Sequence, residues 1–186
     1  MTSNSPPATD SIESDTRAWV DKAVIGLNLC PFAKQVQIKG QVRYVVSAAT
    51  TAEGLLYELA AELNRLHDTP PEETDTTLLI HPRVLTDFLE FNDFLDAADA
   101  LVADIGLEGV MQVASFHPAY QFEGTAADDI TNFSNRSPYP TLHLLREDSI
   151  DRAVAAFPEA ESIFEANMET LEKLGIEGWR KLGLKT

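Results

Sequence analysis

Two kinds of apolar spacing alternate through residues 42–116, and this alternation restricts the fold more than any other property of the chain. Residues 42–47, Val-Arg-Tyr-Val-Val-Ser, are β-branched and aromatic, as a strand requires. Leu55, Leu56, Leu59, Leu63 and Leu66 then recur at three- and four-residue spacing. That stripe predicts a helix, with Thr50 and Glu53 at capping-box distance before it and Pro70 and Pro71 after it. Thr76–Ile80 reads as a second strand, closed by His81-Pro82 because proline cannot continue a ladder. A second helix follows on Phe88, Phe91, Leu95, Ala98, Leu101, Val102 and Ile105, with Thr86 to cap it and Gly106 to stop it. Residues 109–116 form a third strand that also ends in His-Pro, at His117-Pro118.

Strands separated by helices of this length are expected to run parallel, joined by right-handed crossovers. A fourth strand at Thr141–Arg146 is added beside them. The expected class is therefore α/β: a single domain with a mixed, mostly parallel four-stranded sheet and flanking helices. Trp19, Val20, Ala23, Val24 and Leu27 predict a helix from about Asp15 that stops before Pro31, leaving Cys30 just past its end. Asp148 is expected to cap a helix broken at Pro158, and Ile163, Phe164, Met168, Leu171 and Leu174 stripe the final one. Residues 1–14, rich in Ser, Pro and Thr at their start, read as a disordered tail ahead of one domain over 15–186.

The net charge is -16, and no Lys or Arg occurs between Val84 and Asn135. Such a surface repels phosphate backbones and anionic bilayers, so neither nucleic acid nor membrane is expected as a partner. A single cysteine provides no disulfide framework, and a cytoplasmic location follows most simply. Asp87, Glu90, Asp93, Asp96 and Asp99 line one flank of the second helix, either as solvated surface or as a docking face for a basic partner.

Candidate chemistry gathers at the carboxyl ends of the parallel strands, where ligands bind in open α/β sheets. His81 and His117 each end a strand there, and an antiparallel fourth strand would bring His143 toward His117. Three imidazoles on one rim would suffice for zinc or for acid/base work, with His117 as acid/base and His81 and His143 as supports or ligands. The competing reading makes His-Pro a polar strand terminator and His143 a hydrogen-bonded core residue. Residues 117–140, an irregular stretch too long to be a plain connection, bring Tyr120, Asn135, Arg136 and Tyr139 as substrate-orienting groups. Arg136, the lone cation between Arg83 and Arg146, is suited to a carboxylate or phosphate, or else pairs with Asp128 or Asp129. Cys30 is a candidate nucleophile or simply a buried thiol.

Four motifs, Asn28-Leu-Cys-Pro-Phe-Ala-Lys34, His117-Pro-x-Tyr-x-Phe-x-Gly124, Asn135-Arg-Ser-Pro-Tyr-Pro140 and His143-Leu-Leu-Arg-Glu147, occur in that order. In them the chain, from about Arg17 to its end, resembles a bacterial domain-of-unknown-function family, number 1415. The resemblance implies a bacterial cytoplasmic protein of about this length and implies no catalytic residues. From the residues themselves, the leading expectation is an enzyme acting hydrolytically on a small anionic molecule, because imidazoles, carboxylates and one arginine without a redox motif suit water activation. A non-catalytic ligand-binding or regulatory module and an acidic protein-interaction domain are the alternatives.

Overall fold

A computed structural model of the chain describes residues 8–157 and 159–185. Among these, four strands form one sheet: β1 (Val42–Val46), β2 (Thr76–Ile80), β3 (Met111–Phe116) and β4 (Thr141–Arg146). The order across the sheet is β1-β2-β4-β3. β1 and β2 pair in parallel, whereas β4 runs antiparallel to both β2 and β3. The expectation of a mostly parallel sheet is corrected: the sheet is mixed, because β4 enters between β2 and β3 instead of extending an edge.

Burial explains that insertion. All five residues of β2 are buried, and β4 buries Thr141, Leu142 and Leu144, so both profit from neighbours on each side. The outer strands are less covered, and β3 leaves Gln112 in solvent, as an edge strand can.

Helices cover both faces. On one lie α3 (Ala52–Asp68) and α4 (Phe88–Asp104), whose Leu55, Leu59, Leu63, Leu66, Phe91 and Ala98 pack on Leu79, Leu142 and Leu144. Each such side chain taken fully from water contributes about 1.5–3 kcal/mol. The second face is covered by α1 (Thr9–Trp19), a π-helical turn (Val20–Ile25) and α6 (Ile163–Arg180), through Ile12, Trp19, Val20, Leu171 and Trp179. Gly175 takes φ 64° inside α6, a left-handed conformation open to glycine, and kinks the helix ahead of Trp179. Two short helices complete the chain, α2 (Ala33–Ile38) and α5 (Glu147–Ala156). No helix among the described residues is long and apolar enough to cross a membrane.

Several boundaries move. α1 starts at Thr9 and buries Ile12, so the expected tail over 1–14 is helical from Thr9, while residues 1–7 lie outside the described ones. Thr51, not Thr50, caps α3 by accepting from the Gly54 amide, and Asp87, not Thr86, caps α4 by accepting from the amides of Leu89 and Glu90. α5 begins at Glu147 without a side-chain cap, so Asp148 does not serve as one. The break expected at Pro158 lies outside the described residues; α5 ends at Ala156.

Candidate functional site

His81 and His117 leave the ends of β2 and β3 on the same face as α4, and the ring of Phe91 lies between them, 5.4 Å from His81 and 5.2 Å from His117. Both side chains are buried. His81 Nδ1 donates to the Val84 carbonyl at 2.9 Å. The Ala119 amide donates to His117 Nδ1 at 3.0 Å, which leaves Nε2 as the protonated nitrogen, donating to the Leu85 carbonyl at 3.2 Å. The two rings therefore grip consecutive carbonyls of the link between β2 and α4. Leu85 needs that grip, since it sits at φ 56°, a left-handed conformation unfavourable to a branched side chain.

Electrostatics follow from the burial. Desolvation pushes the His81 imidazole down to about 4, and His117 nearby works in the same direction. Burial also lowers His117, against the Leu85 carbonyl and the Asp87 carboxylate, which favour its charged form. Both rings are neutral at pH 7, and both nitrogens of His117 are committed to backbone. His81 Nε2 has no partner among the described residues, but it is sealed from solvent.

His143 does not join them. β4 is antiparallel to β3 as expected, but His143 stands opposite Ala114 and points to the other face, between Leu142 and Leu144, which belong to the α3/α4 side. Its ring packs 5.9 Å from Phe116. Thr76 Oγ1 donates to the Leu144 carbonyl at 2.7 Å, so His143 Nε2 donates to Thr76 Oγ1 at 2.8 Å. Burial pushes its pKa down to about 4. The three-imidazole rim, and the zinc site of His81, His117 and His143 that depended on it, is corrected by strand parity. No group of three His, Cys, Asp or Glu side chains among the described residues is arranged to hold a metal ion.

Cys30 lies just past the end of the first helix, as expected, its amide donating to the Val24 carbonyl at 3.3 Å, and ahead of α2, where the amides of Phe32 and Ala33 hydrogen-bond to it; burial nevertheless raises its pKa. No hydrogen bond joins Cys30 to a histidine among the described residues.

The polar groups of residues 117–140 do converge. A 3-10 turn (Ile130–Asn135) anchors the segment through buried Asn132, whose Oδ1 accepts from the Phe122 amide and Thr125 Oγ1 and whose Nδ2 donates to the Ala126 carbonyl. The Asn135 carbonyl accepts from the His117 amide, and its Nδ2 reaches the Ser115 carbonyl at 3.5 Å. Tyr120 packs on Phe88, and burial raises its pKa. Arg136 pairs with neither Asp128 nor Asp129: Nε donates to the Tyr120 carbonyl at 3.0 Å and Nη2 to the Ala127 carbonyl at 2.5 Å. Its guanidinium lies 4.4 Å from the Phe133 ring centre, and Nη1 donates to nothing among the described residues.

Arg136 also opens on a cleft of about 140 Å³, whose wall includes Trp19, Phe133, Ser137, Trp179 and Lys185. Trp19 is buried, and its indole N–H has no acceptor among the described residues. Lys185 Nζ donates to the Tyr139 hydroxyl, which in turn donates to Asp15 at 2.7 Å, and Lys185 lies 3.5 Å from that carboxylate. Tyr139 is thus held beside the cleft, its pKa raised by burial, and does not line it.

The expected loop residue Arg136 contributes to this cleft; Trp19, Trp179, Lys185 and Asp15 were not anticipated. One signal for the first two was present, since the chain has only two tryptophans and each stands on a terminal helix stripe. Lys185 and Asp15 carry no pattern that could have paired them.

No curated protein and no solved structure shows significant similarity to the chain. A family model does match, over residues 11–181, and the chain belongs to the family it describes, a protein of unknown function (DUF1415).

Proposed function

We propose that the protein is a non-catalytic module that binds a small anionic molecule in the cleft between Arg136 and Lys185. The observation that carries this reading is two cationic side chains on one cavity of about 140 Å³, in a chain whose net charge is -16. Cations are scarce here, and Arg136 retains an uncommitted Nη1 that can donate to an oxyanion. Its other two donors hold the loop in place before any ligand arrives, which lowers the ordering cost of binding. The engagement of both His117 ring nitrogens with backbone weighs against the hydrolytic alternative. A cytoplasmic location is supported by the lone cysteine, and a bacterial source by the motif resemblance.

The two tryptophans of the chain both line the cleft, so intrinsic fluorescence reports on this site with no other indole contributing. Titration with a panel of small mono- and dicarboxylates and inorganic phosphate is expected to give a saturable change for at least one member. The affinity behind that change should fall several-fold in Lys185→Met, with the melting temperature of the unliganded variant measured alongside. Silence across the whole panel would sink the proposal.

A further inference from the structure

Resting on that reading, we infer that the cleft selects a small aromatic carboxylate, of the size of benzoate. Three independent features converge on this class. The first is size: about 140 Å³ matches a cavity that holds a single benzene-sized ring.

The second is the wall. Phe133, half-buried, supplies aromatic surface together with Pro118, Pro138 and Leu184, while the indoles of Trp19 and Trp179 are buried behind it. The rings are held by their own contacts: Trp19 meets Phe116 edge-on at 5.0 Å, and Phe133 meets Trp179 edge-on at 5.0 Å. A flat ring entering this wall finds partners for offset or edge-to-face packing, which aliphatic acids and phosphate lack.

The third is charge placement. Arg136 lies over the Phe133 face and Lys185 Nζ 4.6 Å from the Tyr139 ring centre, so both cations sit against aromatic surface beside the cavity. A carboxylate attached to the ring can accept from Arg136 Nη1 while the ring stays against the apolar wall of the cleft. Lys185, balanced by Asp15, adds a second positive group whose charge is already compensated within the protein.

The probes are benzoate, its neutral isostere benzamide, acetate and inorganic phosphate, each titrated into the full chain and followed by tryptophan fluorescence. Benzoate is expected to bind at least about tenfold more tightly than each of the other three, a difference of about 1.4 kcal/mol. Arg136→Gln should reduce benzoate affinity about tenfold and leave benzamide unchanged. Because Arg136 also fastens the loop, Lys185→Met serves as a second variant, expected to weaken benzoate several-fold with benzamide unaffected. Acetate or phosphate binding as tightly as benzoate overturns the aromatic assignment and leaves the anion-binding reading standing. Benzamide equal to benzoate, or no response to any anion, overturns both.

Discussion

A histidine at the end of a strand is usually examined first for chemistry, yet His81 and His117 are joined to the backbone of one neighbouring link. Each holds a carbonyl, of Val84 and of Leu85, and Phe91 separates the rings. Their neutrality has a consequence for stability. Unfolded, an imidazole titrates near 6.5, whereas native His81 and His143 titrate at about 4. Between those values the unfolded chain binds more protons, so stability falls as pH drops from about 6.5 toward about 4, and these groups cause no further loss below that. For His81, wholly buried, the full shift corresponds to roughly 3 kcal/mol. Urea denaturation at pH 7, 6 and 5 should show the midpoint falling at each step; a constant midpoint would refute the assignment. The face of His143 was legible beforehand, because Leu142 and Leu144 flank it and side chains alternate along a strand. The partners of His81 and His117 were not, since no periodic pattern marks which carbonyls of the link between β2 and α4 turn toward the rings.

At the scale of elements, the segment 117–140 behaves as a built structure and not as a mobile connection. Asn132 is its internal clasp, fully buried and bonded to Phe122, Thr125 and Ala126. Asn132→Ala leaves those groups unpaired and is expected to cost about 2–4 kcal/mol in urea denaturation. Amide exchange should accelerate most over residues 120–132, and uniform acceleration across the sheet would contradict a local clasp. The length and polarity of this segment mark it in the sequence as unusual. Which of its groups would face a cavity was hidden, because Arg136 reaches the cleft only through the turn that Asn132 closes. Strand and helix identities were mostly readable, and β2 and β4 fall on their expected residues, since apolar period is a local property. Caps shifted by one residue, from Thr50 to Thr51 and from Thr86 to Asp87, because adjacent residues compete for the same amides.

For the whole molecule, a charge of -16 acts against compaction as well as against anionic partners. The acidic flank of α4, with exposed Asp87, Glu90, Asp93, Asp96 and Asp99, lies within the long stretch lacking Lys and Arg. Screening should therefore stabilise the fold: raising NaCl from about 0.05 M to about 0.5 M is expected to increase Tm by several degrees in calorimetry. An unchanged or falling Tm would show that self-repulsion is unimportant. Composition, element order and α/β class were determined by the sequence alone, through charge count and short-range periodicity. Only the tertiary structure decided that β4 would enter the middle of the sheet, that His81 and His117 would close on the Val84 and Leu85 carbonyls, and that Trp19 and Trp179 would meet Arg136 and Lys185 across one cleft. The physical reason is that strand order and helix docking are chosen by which faces can be buried together, a comparison among distant segments that no local pattern contains.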